Sequence, residues 1–231
     1  MERLWQPTAS HPRLPVVDGG PPFVVGRVWC VGRNYGAHTR EMGGDPVKES
    51  PFFFLKPSSS VVVEPAGVLY PPMTAELHHE VELYVALGAG GVDLSLADAS
   101  QAIVGYGAAV DLTRRDVQRV AKSKGRPWAL AKGFDAAAPL SLLTLGPPPA
   151  ALALSLQVNG EVRQRGVTSE MKRSVAELIR ELSLQVRVLP GDVILTGTPA
   201  GVGPVVPGDR LEARVGACSL QFEVLEPRPG G

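Results

Sequence analysis

With 231 residues, of which 44% are hydrophobic and 20% charged, the chain is composed as one sizeable globular domain rather than a disordered segment. Its 23 basic and 23 acidic residues cancel, so the electrostatic footprint of a nucleic-acid binder is missing, and no apolar run approaches membrane-spanning length. Cys30 and Cys218 are too few for a disulfide framework, and the first residues lack an apolar signal core, so the expectation is a cytoplasmic protein with two reduced thiols.

The 26 Gly and 22 Pro imply many turns between short elements. Residues 1–22 carry several prolines and read as an extended lead-in to a single catalytic domain over residues 23–231. RVWCVG (Arg27–Gly32) is a short buried-type strand. RNYGAHTREMGG follows as a helix of about two turns, with Asn34 as its N-cap and Gly43 and Gly44 as its stop. His38 and Glu41 are three residues apart and share one face of that helix. A carboxylate beside an imidazole fixes its tautomer and raises its basicity, as a general base requires; a surface ion pair has the same spacing. In PFFFLKPSSSVVVEP, Lys56 lies among aromatic and β-branched residues, where it either points into a site or snorkels from an edge strand.

LHHEVELYVALG (Leu77–Gly88) predicts a strand, because Val81, Leu83, Val85 and Leu87 alternate with the other positions. Glu80 and Glu82 then project together from the opposite face. Two adjacent carboxylates disfavour each other's ionisation unless solvent or a cation offsets the repulsion, and a hard divalent ion such as Mg²⁺ does so with oxygen ligands. His78 and His79 are consecutive in this strand, so they face opposite ways and do not easily share one metal. SLADASQAIVG predicts a brief helix. GYGAAVDLT is an apolar strand ending at Asp111, a ligand or the N-cap of the helix TRRDVQRVAKSKG. Lys132 sits in the apolar run RPWALAKGFDAAAPL, either snorkelling or aimed at a developing oxyanion.

ALSLQVNGEVRQRG reads as a hairpin turning at Asn159–Gly160, and MKRSVAELIRELSLQ as an amphipathic helix. The closing GDVILTGTPAGVGPVV has neither a P-loop nor a Rossmann turn, although the Thr196 and Thr198 hydroxyls and free amides of such a loop can hold a carboxylate. The basic run Arg114, Arg115, Lys122, Lys124 and Arg126 reads mostly as solvated charge, with Arg115 close enough to Asp111 to reach a pocket and read a second carboxylate on a substrate.

Together, VGRNYGAHTREMG, FFFLKP, LHHEVEL, DLTRRDVQ, KGRPWALAKGFD, VNGEVRQ and GDVILTGTPAGVGPV resemble the fumarylacetoacetate hydrolase superfamily over about Arg27 to Val224, nearest to its acylpyruvate hydrolases. The resemblance implies a mainly β fold with few helices (α+β), a mixed β-sandwich or β-roll of that superfamily's C-terminal domain type, and a homodimer. It also implies a Mg²⁺ or Mn²⁺ site on Glu80, Glu82 and Asp111. His38, Glu41 and Lys132 match its catalytic positions, and Arg33, Lys56, Arg115, Gln118 and Thr198 those that line the substrate pocket. The implied activity is hydrolysis of the C–C bond of a 2,4-dioxo acid, an acylpyruvate such as fumarylpyruvate, in aromatic-compound breakdown. The alternatives are oxaloacetate decarboxylation or an isomerisation at the same site. A non-enzymatic β module holding a structural ion leaves the His–Glu pair without a purpose.

Overall fold

A computed structural model describes residues 11–227. Residues 1–10, the first part of the expected lead-in, lie outside the described residues, as do residues 228–231. Residues Arg13–Leu14 and Phe23–Val24 pair as a two-stranded antiparallel ribbon.

The Val81–Leu87 strand is central to an eight-stranded mixed sheet. Across that sheet the order is Phe52–Lys56, Val28–Gly32, Val193–Leu195, Val81–Leu87, Ile103–Val110, Ala138–Leu140 and Val61–Val63, with Thr144–Leu145 also pairing onto Ile103–Val110. A five-stranded sheet runs Glu161–Val167, Ala153–Val158, Arg210–Val215, Cys218–Leu225 and Gly67–Leu69. Three short strands, Thr113–Arg114, Leu77–His79 and Gly203–Val205, make a third sheet beside the site.

The period-2 pattern of the central strand is used on both faces. Val81, Leu83, Val85 and Leu87 enter the larger core with Leu154, Leu156, Ala213 and Leu220 of the five-stranded sheet. Tyr84 and Ala86 enter a second core with Val28, Cys30, Val193 and Leu195. Every residue of this strand is therefore buried, and Glu82 sits on the Tyr84 side with no solvated face available to it.

The chain runs from Leu77 to Leu87 as two strands, interrupted at Glu80, where pairing passes from the three-stranded to the eight-stranded sheet. The hairpin turns as expected: Asn159 (φ 52°) and Gly160 (φ 81°) both take the left-handed conformation that a two-residue type I′ turn demands. The amphipathic helix spans Val175–Ser183, with Leu178, Ile179 and Leu182 in the larger core. Its cap is reciprocal, since Ser174 Oγ accepts from Glu177 N and Glu177 Oε2 accepts from Ser174 N at 2.7 Å.

Asn34 is not a helix cap. The short helix spans Gly36–Glu41 behind Tyr35, which makes no side-chain cap. The Asn34 amide is fully buried and instead donates to Thr196 O (2.9 Å) and Arg173 O (3.1 Å) while accepting from Arg173 N (2.9 Å). It ties together three segments that meet behind the site. Asp111 is not a cap either, because the following helix spans Arg115–Ser123 and begins after Arg114. No helix among the described residues is long and apolar enough to cross a membrane.

Candidate active site

The register of the central strands assembles the acidic residues. Val81 pairs with Val110 and Glu82 with Ala109, and Asp111 N donates to Glu80 O at 2.8 Å, which brings Asp111 alongside Glu80. One ligand atom from each of Glu80, Glu82 and Asp111 lies within 4.8 Å of the other two, and all three residues are buried. Three cations converge on two of these carboxylates. Lys132 Nζ reaches Glu80 Oε2 (2.9 Å) and Asp111 Oδ2 (2.8 Å), and Arg115 Nη2 reaches Glu80 Oε1 (2.5 Å). Lys56 Nζ lies 2.7 Å from Asp111 Oδ1 but directs its hydrogen bonds to the carbonyls of Leu112 and Lys132. Asp111 Oδ1 is thus charge-compensated without accepting a hydrogen bond.

These contacts split the pair of glutamates. Burial raises the Glu80 carboxyl, but Lys132 and Arg115 outweigh it and hold the group well below the ordinary carboxylate range. Glu82 goes the other way: burial, then Asp111 and Glu80, push its carboxyl well above that range. Its one hydrogen bond to a neighbouring segment is from Gly197 N to Oε2, at 2.6 Å, and among the described residues no cation pairs with it. Three converging carboxylates with negative charge unmatched at Glu82 are a donor set suited to a hard divalent cation. Burial lowers the Lys132 ammonium, yet Asp111 and Glu80 together raise it above its ordinary value, so this lysine stays charged.

The second cluster is a dyad on the short helix. His38 Nδ1 is 3.0 Å from Glu41 Oε2, and Glu41 Oε1 accepts from Gly201 N at 2.9 Å. A carboxylate only accepts, so Nδ1 carries the hydrogen and Nε2 is the nitrogen left to exchange a proton. The glycine-rich loop between Leu195 and Gly203 therefore braces both clusters, Glu82 through Gly197 and Glu41 through Gly201. Both glycines have φ +97°, and a Cβ on Gly201 would lie 2.2 Å from Arg163 O. These two amides are accordingly not free for a ligand. The Thr196 hydroxyl is likewise committed to Leu83 O, and that of Thr198 to Val81 O.

Both clusters open on one cleft, whose space of ≈ 440 Å³ includes its open mouth. Arg33, His38, Glu80, Glu82, Arg115, Gln118, Lys132 and Thr198 all line it, whereas Lys56 lies beneath the acidic triad. Arg115 is brought into the cleft, but its guanidinium is held by Glu80 and by Gln118 Oε1 (2.6 Å) at the carboxylate end, so it is not the free reader of a second substrate carboxylate. Arg33 has φ 65° and pairs with Glu49 at 2.5 Å. His78 and His79 diverge: His78 meets Glu76 (3.2 Å), and His79 Nδ1 meets Gln164 Oε1 (3.0 Å).

The walls that sequence reasoning missed are aromatic. Phe52 and Trp128 meet edge to face at 5.2 Å, and Phe54 completes the group. Gln164 was also missed. Buried in a strand whose neighbours are exposed, it accepts from Val81 N and donates to Thr198 Oγ1 and Pro199 O, joining the central strand to the glycine-rich loop. A polar residue in the inward slot of VRQRG, facing the Leu154 and Leu156 strand, was the available signal.

Residues 27–225 match the fumarylacetoacetate (FAA) hydrolase C-terminal family. The chain belongs to this family. Among its relatives, the oxaloacetate tautomerase FAHD1, mitochondrial, of Mus musculus is 45% identical over 199 residues, covering 84% of this chain and 90% of that protein. The oxaloacetate decarboxylase, mitochondrial, of Dictyostelium discoideum is 38% identical over 205 residues, covering 86% and 94%. The crystal structure of fumarylpyruvate hydrolase from Pseudomonas aeruginosa in complex with Mn²⁺ and pyruvate has the same fold, with a TM-score of 0.92 at 42% identity, covering 96% of this chain and 99% of that one. The mainly β fold of the fumarylacetoacetate hydrolase family is thus confirmed, as is the buried acidic group suited to a divalent metal.

Proposed function

We propose that this chain is a metal-dependent hydrolase that cleaves the C–C bond of a 2,4-dioxo acid, above all fumarylpyruvate, to give pyruvate and a carboxylic acid. The observation that carries the reading is the opening of the His38–Glu41 dyad and the Glu80–Glu82–Asp111 triad onto one cleft. Glu80, Glu82 and Asp111 would hold Mg²⁺ or Mn²⁺, which supplies Lewis-acid polarisation of the 2-oxo acid end of the substrate.

The chain's own groups do the rest. His38, oriented by Glu41, takes a proton from a water at Nε2 as that water attacks the 4-carbonyl. The bond from C4 to C3 breaks with its electron pair moving toward the 2-oxo group, and the proton held by His38 can return to C3 to form the methyl group of pyruvate. Lys132, kept charged by Asp111 and Glu80, places positive charge beside the oxygens that become more negative. Arg115 and Gln118 hold the carboxylate end of the cleft, with Arg33 and Thr198 at its walls. Lys56 supports Asp111 from below.

The likeness to a fumarylpyruvate hydrolase over nearly the whole chain supports this choice of substrate. A second reading, proton transfer or decarboxylation on oxaloacetate, is favoured by the relatives at 38–45% identity that carry those names. We place the enzyme in aromatic-compound breakdown, as a cytoplasmic homodimer with residues 23–231 as its single catalytic domain; the resemblance of its motifs supports these assignments. The test is a substrate panel of fumarylpyruvate, acetylpyruvate and oxaloacetate with Mg²⁺ or Mn²⁺. Pyruvate release from the dioxo acids supports the hydrolase. Turnover of oxaloacetate alone replaces it with the second reading.

A further inference from the structure

The cations that line the cleft differ in one respect. Lys132 and Arg115 are paired with triad carboxylates, and Arg33 is paired with Glu49. Lys122 also lines the cleft, and among the described residues no carboxylate pairs with it. The residue is exposed, and its ammonium lies over the ring of Trp128, another residue of the cleft, 5.2 Å from the centroid. Shielding there, with Arg115 and Arg33 adding repulsion, lowers its ammonium below the ordinary lysine value. Lys122 thus brings to the cleft a positive charge that no carboxylate pairs with among the described residues.

The helix that carries Lys122 also sets a distance. Arg115, Gln118 and Lys122 are spaced three and four residues apart on the Arg115–Ser123 helix, so they lie along one face. Seven residues at 1.5 Å per residue put the Lys122 backbone about 10 Å along the axis from that of Arg115, whose guanidinium lies at the triad end. An extended seven-carbon diacid has six C–C bonds of ~1.5 Å and spans roughly 7–8 Å between its end carbons. Four-carbon oxaloacetate spans only about half of that.

We propose that Lys122 is the specificity-determining residue of the cleft: it receives a second carboxylate at the far end of the substrate. The preferred substrates are then 2,4-dioxo acids that carry a second carboxylate, over monoacids of the same kind. The hydrolytic part of this statement rests on the function proposed above; the role of Lys122 as a reader of that carboxylate does not.

Two measurements separate them. In the first, kcat/KM is compared for fumarylpyruvate and acetylpyruvate, which lacks the far carboxylate, in the Mn²⁺-loaded enzyme and in Lys122→Met and Lys122→Arg. The ratio of fumarylpyruvate to acetylpyruvate should fall by about 10- to 100-fold in Lys122→Met, chiefly through KM, as for a lost charged hydrogen bond. Lys122→Arg should restore most of it. A ratio unchanged in a Lys122→Met protein of normal Tm overturns the proposal. In the second, 2-oxoheptanedioate and 2-oxoheptanoate, which lack the 4-oxo group, are titrated calorimetrically into the same Mn²⁺-loaded proteins. The diacid should bind at least about tenfold tighter than the monoacid, and Lys122→Met should abolish that advantage. Equal binding of the two acids overturns the proposal even if no dioxo acid is cleaved. Failure of turnover with the binding advantage intact removes the hydrolase reading and leaves Lys122 in its role.

Discussion

Glu41 Oε1 accepts a hydrogen bond from the backbone amide of Gly201, 160 residues away, at 2.9 Å. The other oxygen of the same carboxylate meets His38. The short helix that carries the dyad is thereby fastened at its last residue to the loop that also holds Glu82, so the dyad and the triad share one support. A Gln at position 41 keeps the shape but offers one oxygen where two are used. Either His38 loses control of its tautomer, or an amide NH₂ faces Gly201 N, donor against donor. Glu41→Gln should lower kcat by about 10²-fold with little change in KM or Tm. Gly201→Ala, with φ +97° and a Cβ 2.2 Å from Arg163 O, should lose activity and Tm together. Wild-type turnover in Glu41→Gln would remove the dyad from the mechanism.

His38 distinguishes two chemistries at one site. Hydrolysis needs a base to activate water, whereas loss of CO₂ from oxaloacetate does not. His38→Ala should reduce acylpyruvate cleavage by roughly 10²-fold or more, and any oxaloacetate decarboxylation by less. Parallel losses, measured by pyruvate release from each substrate, would assign the dyad to ordering the cleft instead.

The divergent glutamates give stability opposite pH dependences. The folded Glu82 carboxyl lies well above its ordinary 4.5. Between 4.5 and that raised value the folded chain holds a proton the unfolded chain has released, so Glu82 makes stability decline as pH rises. Glu80 lies well below 4.5, so its contribution is complete above 4.5 and is lost only as acid carries the pH down through its depressed value. In chelator-treated protein, the Tm difference between Glu82→Gln and wild type should therefore grow in favour of the variant from about pH 4.5 upward. Added Mn²⁺ should raise the wild-type Tm by an amount that increases with pH, and should do little for Glu82→Gln. A pH-independent Tm difference between the two chelator-treated proteins would show that Glu82 is not a strained buried carboxyl.

Asn34 offers a test of scaffold against chemistry. Its fully buried amide makes three bonds to Thr196 and Arg173, and truncation strands those backbone partners. Asn34→Ala should cost ~2–3 kcal/mol, a fall of roughly 5–10 °C in Tm for a chain of this length. Thermal unfolding with and without Mn²⁺ would show it as a loss of equal size in both conditions. A loss confined to the Mn²⁺-bound form would make Asn34 part of the metal site.

The sequence patterns that proved readable were the local ones. Alternation in VELYVAL, the Asn159–Gly160 turn and the helical spacing of Val175, Leu178, Ile179 and Leu182 each depend on residues within a few positions of one another, and each appears as expected. Long-range competition decided the rest. Asn34 has a cap residue's chemistry, but Thr196 and Arg173 claim its amide. Arg115 was expected to reach toward the far end of a substrate, but Glu80 and Gln118 hold it at the near end. Lys56 is drawn inward by Asp111 and two carbonyls rather than snorkelling. In each case the group was recognised as polar and consequential, and a deciding partner (Thr196 and Arg173, Glu80, Asp111) lay tens of residues away or more in the chain, where no periodicity records it.

The Val193–Leu195 strand lies between Val28–Gly32, to which it is parallel, and Val81–Leu87, to which it is antiparallel. A nascent chain still short of residue 193 therefore lacks a rung in the middle of its largest sheet. Two strands rich in Val and Leu then face each other across a gap with their edges unpaired. Glu41 and Glu82 lack their amide donors at the same stage, since Gly197 and Gly201 are made later still. Such non-local closure makes folding slow, on the millisecond-to-second scale, and leaves hydrophobic edges open while synthesis proceeds. Residues through Leu195 must therefore be made before the eight-stranded sheet can close, and until then the edges of Val28–Gly32 and Val81–Leu87 stay open to wrong partners.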